Sequence, residues 1–278
     1  MIKGVVNKII PSSSVDGPGN RLAIFLQGCN FNCLYCHNPE TINYCNDCGE
    51  CIKMCHYGAL TYNNNKVIWN KELCVDCGSC INYCYYDSSP KIQILSVDDI
   101  IKEIKKVQYF ISGITISGGE ASLQKKFIIN LSKKVKKLGL TIFLDTNGYT
   151  DIDKLKDIIK HIDYFMIDLK SFDLKEHKRL TGKDNINVIN TIKTLLEYKK
   201  IYEIRTVIVP NELDNVNNVN KISKFISQYD SNVRYKLIKY RPIGVREDKI
   251  SSNSPSNSYM EKLKHIASSN GLKNIDVI

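Results

Sequence analysis

The run Cys29-Asn30-Phe31-Asn32-Cys33-Leu34-Tyr35-Cys36 sets three thiols in the spacing C-x3-C-x2-C. Three such thiolates can hold three irons of a [4Fe–4S] cube and leave the fourth iron without a protein ligand. An open iron can take a small chelating molecule, much as a catalytic zinc keeps an open position. The competing readings are a zinc site with a distant fourth ligand and buried structural thiols. His37 adjoins Cys36, which makes it a poor chelating partner for zinc. The spacing favours the open cluster.

Two further runs share another spacing: Cys45-x2-Cys48-x2-Cys51-x3-Cys55 and Cys74-x2-Cys77-x2-Cys80-x3-Cys84. This is the duplicated bacterial ferredoxin arrangement, in which the fourth cysteine of each run ligates the other cluster. The expected sets are Cys45, Cys48 and Cys51 with Cys84, and Cys74, Cys77 and Cys80 with Cys55. A zinc ribbon would use only four of the eight thiols. The proline that usually follows the fourth cysteine is replaced by His56 and Tyr85, which touches local packing and not ligation. All eleven cysteines fall between Cys29 and Cys84. Their odd number, and the absence of an apolar leader at the start, argue against a disulfide framework.

These motifs need a scaffold, and the apolar pattern supplies one. Strands are expected at 22–27, 114–117, 140–145, 164–169, 203–209 and 235–240, each a short run rich in Ile, Val, Phe or Tyr, as buried parallel strands are. Helices are expected at 97–110, 127–138, 151–160, 186–199, 215–228 and 257–270. Phe127, Ile128, Leu131, Val135 and Leu138 recur at helical spacing, with lysines opposite and Gly139 as a stop. Six β/α units make an α/β chain, with a parallel sheet curved into an open or partial (β/α)6 barrel of the TIM type. Residues 1–40 and 96–278 form the barrel. Residues 41–95 read as an inserted ferredoxin-like domain whose core is largely inorganic.

The polar motifs each follow an expected strand: the cysteine loop, Gly118-Gly119-Glu120, Asp145-Thr146-Asn147-Gly148 and Asp168-Leu169-Lys170. Active sites of such barrels lie on that C-terminal rim. The 278 residues carry a formal net charge of +10. Eleven thiolates and three 2+ cluster cores change this by about −5, to about +5. The lysines are dispersed on solvated helix faces, so no nucleic-acid partner is expected. No run of 18 apolar residues exists, so neither a membrane span nor a membrane partner is expected, and the protein is read as cytoplasmic. His56, His161, His177 and His265 read as surface or packing residues.

C-x3-C-x2-C with Tyr35 before the third cysteine, preceded by Val15-Asp16-Gly17-Pro18-Gly19 and followed by His37-Asn38-Pro39, resembles the radical S-adenosylmethionine enzymes. Within them the chain resembles the glycyl radical enzyme activating enzymes, most of all the YjjW type, which carries a ferredoxin-like insert. The resemblance runs from about Lys8 to about Arg246. It implies three [4Fe–4S] clusters and S-adenosylmethionine, reductively cleaved to a 5′-deoxyadenosyl radical that abstracts a hydrogen from a glycine of a partner glycyl radical enzyme. It implies flavodoxin or ferredoxin as electron donor.

The site residues follow by the same resemblance. Gly118 and Gly119 would let the backbone approach the cosubstrate, and Glu120 would lie near its amino group. Tyr35 would meet adenine through its backbone and ring, Asn147 and Lys170 would hydrogen-bond the ribose and carboxylate, and Cys36, His37, Asp168 and Leu169 would also lie at the cosubstrate. Asp145, Thr146, Met166 and Asp168 match a monovalent cation site for Na+ or K+. Asp16 with the 17–19 turn, and Arg205, would meet the partner's glycine loop. The family has His after the sixth strand, where Tyr240-Arg241-Pro242 places Arg241. That residue cannot be a neutral acceptor, but can clamp a carboxylate or stack on adenine. Alternatives are a radical enzyme acting on a small molecule, or an electron-transfer iron–sulfur protein, which has no need of the 118–120, 145–148 and 168–170 motifs.

Reconstituted protein should hold about twelve irons per chain, and about eight after replacement of Cys29, Cys33 and Cys36 by Ala. Iron analysis returning about four in the intact protein, or stoichiometric zinc, contradicts the assignment of the two later runs.

Overall fold

A computed structural model describes residues 2–278. The chain runs β1 (Lys3–Ser13), β2 (Arg21–Leu26), β3 (Leu60–Asn63), β4 (Lys66–Trp69), α1 (Ser79–Asn82), β5 (Gln93–Ser96) and α2 (Val97–Val107). It continues β6 (Gly113–Gly118), α3 (Lys125–Lys136), β7 (Thr141–Thr146), α4 (Ile152–Ile159), β8 (Tyr164–Asp168), α5 (Leu174–Thr181) and α6 (Ile186–Glu197). The last elements are β9 (Ile201–Ile208), α7 (Asn215–Ser227), β10 (Arg234–Lys239), α8 (Asn257–Ser269) and β11 (Ile275–Val277).

Nine strands form one mostly parallel sheet in the order β11-β10-β9-β8-β7-β6-β2-β1-β5. Strands β2 and β6 to β11 are parallel, and β1 is antiparallel to both β2 and β5. The six strands read from apolar runs are β2 and β6 to β10, each shifted by no more than a few residues. Their centres carry Ile24, Ile116, Leu144, Phe165, Ile204 and Leu237, all essentially without solvent contact. Helix α3 turns Phe127, Ile128, Leu131 and Val135 onto this layer and leaves its lysines outside.

Local signals set the helix ends. Ser96 and Asp99 form a reciprocal capping box at the start of α2. The Asp151 and Asp173 carboxylates each accept two backbone N–H bonds at the starts of α4 and α5. Helix α5 ends at Gly182 in the left-handed region. No helix among the described residues is long and apolar enough to cross a membrane.

Four elements of this sheet and its cover were not anticipated, the short edge strand β11 among them. Strand β1 mixes lysine and asparagine into its apolar positions, and its pairing with β2 is interrupted by two register shifts. Helix α5, LKEHKRLT, has too few apolar residues to show a period. Strand β5 pairs with β1, Lys3 opposite Ser96 and Val6 opposite Gln93. Residues 93–95, expected in the insert, therefore belong to the main sheet.

Between β2 and β5 the two cysteine runs adopt matching backbones. Asp47 and Asp76 have φ of 59° and 58°, and Gly49 and Gly78 both have φ of 80°. Each run then enters a short helical turn, Glu50–Met54 or α1. The β3–β4 hairpin separates them, and Cys51, Leu60 and Cys80 form a small buried cluster of their own.

At the opposite end of the sheet Arg21 is buried to 1% exposure. Its guanidinium donates to Thr115 Oγ1 at 2.9 Å, the Ile114 carbonyl at 2.6 Å and the Thr141 carbonyl at 3.1 Å, and lies 4.1 Å from the Phe143 ring centroid. Burial pulls its pKa down to about 10. Arg21→Ala removes these bonds and leaves a void under β2, β6 and β7. It should cost about 2–5 kcal/mol in urea unfolding of the holoprotein with an unchanged denaturant slope. A shift below about 1 kcal/mol contradicts this role.

Candidate active site

The C-terminal ends of the parallel strands carry the chemistry. The loop after β2 holds Cys29, Cys33 and Cys36, and its backbone is tied on several sides. Gly28 and Cys29 N–H donate to the Thr41 and Ile42 carbonyls, both at 2.9 Å. Asn32 and Leu34 N–H donate to the Thr181 and Leu180 carbonyls at the end of α5, also at 2.9 Å. Arg246 donates to the Cys33 carbonyl at 2.6 Å. The Asn147 amide donates to Asn30 Oδ1 at 2.8 Å, and Asn30 in turn to the Tyr149 carbonyl at 2.8 Å.

This loop faces a cavity of about 320 Å³. The three thiols, Tyr35 and His37 line one side of it; Gly118, Gly119, Asp145, Thr146 and Asn147 line another, with Asp168, Lys170 and Asp16 completing the wall. The Lys170 ammonium lies 5.6 Å from the centroid of the Tyr35 ring, whose hydroxyl is buried without a partner. His37 stacks edge-on with Tyr240, their centroids 6.3 Å apart. His177 is a buried packing residue against Phe31, its Nδ1 2.8 Å from the Lys183 carbonyl.

Several expected roles are corrected by this geometry. Glu120 is fully buried and does not line the cavity. Its carboxylate accepts from Ser122 N–H at 3.0 Å, Thr146 Oγ1 at 2.8 Å and Asn147 N–H at 2.7 Å, so it braces one strand-end turn against the next. A Cβ on Gly118 would fall 2.1 Å from the Leu26 carbonyl, and one on Gly119 2.4 Å from the Gly28 carbonyl. These glycines make room for the stem of the cysteine loop. Leu169 belongs to the apolar core, and Arg241 is exposed and not part of the cavity lining.

The cation set is likewise not assembled. Thr146 turns to Glu120, and Met166 is buried beneath the rim. The space between Asp145 and Asp168 holds Arg205, whose Nη2 pairs with Asp145 and whose Nε donates to Asp168 at 2.7 Å. Lys170 Nζ takes the other Asp168 oxygen at 2.7 Å, and Ser117 Oγ donates to Asp145 at 2.9 Å. Burial pushes the Asp145 carboxyl up. Burial acts the same way on Asp168, but Arg205 and Lys170 outweigh it and hold that carboxyl far below the usual range. Occupied in this pair, Arg205 is not free to meet a partner's loop.

All eleven cysteines are free thiols. Burial pushes Cys29 and Cys33 up to about 12, and Cys36 upward. A cationic iron centre reverses that, because a metal-bound thiol is deprotonated. Two further cavities divide the other eight cysteines. One is lined by Cys45, Cys48, Cys51 and Cys84, the other by Cys74, Cys77, Cys80 and Cys55. Each takes three thiols from one run and the fourth from the other. Among the described residues no three His, Cys, Asp or Glu side chains converge on a single metal ion. Sulfur donors grouped around a cavity fit a polynuclear centre, in which each iron takes its own cysteine.

Two supports, Arg246 and Glu203, escaped the sequence reading, which gave Arg205 another role. Arg246, 8% exposed in its side chain, pairs with Asp87 at 2.6 Å while holding Cys33, and nothing in its polar loop announces this. Glu203 and Arg205 did leave a signal, two charges at i and i+2 inside an apolar strand.

The profile of the Radical SAM superfamily matches residues 76–219, about half of the chain. The pyruvate formate-lyase-activating enzyme of Staphylococcus aureus (strain USA300) is 29% identical over 257 residues, covering 89% of this chain and 85% of that protein. A crystallised domain of pyruvate-formate lyase-activating enzyme from Bacteroides vulgatus ATCC 8482 aligns with a TM-score of 0.53 at 21% identity, covering 60% of this chain and 99% of that one. QueE from Escherichia coli aligns with a TM-score of 0.57 at 12% identity, over 100% of this chain and 95% of that one. These two solved structures share the fold.

Arg205→Met leaves Asp145 without a cation and Asp168 with Lys170 alone, and should cost about 3–5 kcal/mol near neutral pH. In the wild type the depressed Asp168 pKa stabilises the fold above the unfolded carboxylate value and ceases to as pH falls through the folded one. The gap between variant and wild type should therefore be widest near neutrality and narrow in acid. Denaturation midpoints measured from pH 7 down to about pH 2, across the range below the unfolded carboxylate value, check this; a gap constant down to that pH contradicts it.

Proposed function

Since the chain belongs to the Radical SAM superfamily, we propose that it is an activating enzyme for a glycyl radical enzyme. The observation that carries this reading is the cavity of about 320 Å³ onto which the three-cysteine loop opens beside Lys170, Asn147 and Asp16. The similarity to pyruvate formate-lyase-activating enzymes over most of the chain supports it.

Cys29, Cys33 and Cys36 would hold a [4Fe–4S] cluster with one open iron. With S-adenosylmethionine bound there, that cluster supplies one-electron cleavage of the sulfonium and a 5′-deoxyadenosyl radical able to take hydrogen from a glycine. The chain's own residues do the rest. Lys170, held charged by Asp168, presents a cation at the wall for a carboxylate. His37, exposed at the cavity wall, offers a flat face for a base, whereas the Tyr35 ring is 3% exposed and packs into the wall behind it. Asn147 lines the cavity while its amide fixes Asn30, so one side chain serves both cosubstrate and cysteine loop. Asp16 is half-buried at the cavity wall, its carboxylate accepting from Ser13 Oγ, and is placed to meet the backbone of an entering glycine loop. A glycine Cα has to come within roughly 3–4 Å of the reacting carbon, so the partner must thread a flexible segment into the mouth.

In this reading the parallel strands act as a partial barrel, and residues 41–92 are a ferredoxin-like insert. The partition of eight cysteines between two cavities supports two further [4Fe–4S] clusters there. Such clusters would relay electrons from a flavodoxin or ferredoxin in the cytoplasm, or serve as the structural core of the insert.

With a co-expressed glycyl radical enzyme under strict anaerobiosis, the wild type should give a glycyl doublet in paramagnetic resonance. Asp16→Asn should reduce the doublet while 5′-deoxyadenosine still forms slowly without the partner. Consumption of the radical by a small metabolite, with no glycyl signal on any partner or glycine-loop peptide, overturns the activase reading.

A further inference from the structure

The two cysteine runs are near copies: Asp47-Cys48-Gly49-Glu50-Cys51-Ile52 against Asp76-Cys77-Gly78-Ser79-Cys80-Ile81. Their backbones match, so differences between the two centres must come from the side chains around them. Each centre has one serine hydroxyl at a sulfur, and in the first Cys45 Sγ also accepts from the Asp47 N–H at 3.4 Å. Ser88 Oγ lies 3.4 Å from Cys84 Sγ in one centre, and Ser79 Oγ lies 3.4 Å from Cys77 Sγ in the other. Exposure is also similar, with Cys48 and Cys77 the exposed member of each.

Charge is where they part. The cavity of Cys55, Cys74, Cys77 and Cys80 is lined by Lys91 and by no acidic side chain. The cavity of Cys45, Cys48, Cys51 and Cys84 is lined by Glu50 and by no basic one. Lys91 is only 10% exposed in its side chain, and its ion pair with Asp76 at 2.6 Å is lopsided, because the Asp76 carboxylate is 72% exposed. Water screens the carboxylate far better than the ammonium, so the cavity feels a net positive field. Glu50 is 58% exposed in its side chain and paired at 2.8 Å with Lys53, which lies outside the first cavity, so the field there is weak and of negative sign. At the first centre Asp47 binds the Val67 N–H, so this copy of the aspartate has no cation.

We propose that Lys91 sets the Cys55/Cys74/Cys77/Cys80 centre at a higher reduction potential than the Cys45/Cys48/Cys51/Cys84 centre. This rests on the reading that both hold [4Fe–4S] clusters. Adding one electron makes a centre one unit more negative, and a buried cation stabilises that form while a nearby carboxylate opposes it. The first electron from an external one-electron donor therefore comes to rest beside Lys91. The centre without Lys91 is the one joined to the catalytic loop, through Asp87 and Arg246. Lys91 thus marks the centre it lines as the electron's point of arrival.

The test is a potentiometric titration of the reconstituted full chain by paramagnetic resonance, with iron counted on every sample. The catalytic-loop signal is set apart by its response to added S-adenosylmethionine, leaving two signals to follow. In Lys91→Gln the signal reduced first in the wild type should move to lower potential while the other stays. Lys91→Arg should restore the wild-type order. Glu50→Gln should move only the other signal, upward. Two unmoved signals, or one signal answering to both Lys91→Gln and Glu50→Gln, overturn the proposal with the cluster reading intact. If Lys91→Gln loses iron, an unmoved signal in Glu50→Gln also overturns it. Wild-type iron of about four per chain overturns the cluster reading itself, and the proposal with it.

Discussion

A guanidinium between two carboxylates is the constraint on which the rim of this sheet depends. Asp145, Asp168 and Arg205 stand on three consecutive parallel strands, with Asp168 in register with Arg205. A charge taken out of water is tolerated only when it is paired and hydrogen-bonded. Moving any of these strands by one residue would turn its charge to the other face and leave the remaining two uncompensated. The chain continues outward in the same manner. Glu203 is 1% exposed in its side chain and pairs with Lys236 at 2.7 Å, and Arg234 pairs with Asp276 on the next strand. Polar register thus extends across β7 to β11, below and beside a cavity that must keep its shape.

The cysteine loop depends on a different kind of restraint. Its thiols are spaced by sequence, but its path is set by backbone bonds from elements far along the chain. Helix α5 contributes its orphan C-terminal carbonyls, which need donors in any case. Glu120 joins the turns after β6 and β7, and Gly118 and Gly119 let the loop's stem pass at backbone contact distance. Each restraint acts on the loop's supports and leaves the thiols free to face the cavity.

How much of this could be read beforehand follows from the physics of each part. Buried parallel strands must be continuously apolar, so β2 and β6 to β10 stood out, and the cysteine spacings stood out with them. Strand β1 did not, because it shares its faces with solvent and breaks its own alternation. Helix α5 did not, because its value lies in two terminal carbonyls and not in an apolar stripe. At the site, residue types were legible and their directions were not. Glu120, Leu169 and Met166 sit in the right motifs but turn inward, and Arg205 stands where a cation was expected. Arg246 was invisible, since its two partners are Asp87 and a backbone carbonyl, both distant in sequence.

The double grip of Arg246 has an evolutionary consequence. One of its hands holds Asp87, at the trailing edge of the cysteine-rich segment; the other holds the carbonyl of Cys33. A lineage that deleted that segment would strand a buried guanidinium against the three-cysteine loop. Loss of the segment and replacement of Arg246 must therefore occur together or not at all, and position 246 should change in step with the presence of residue 87 across descendants of this chain.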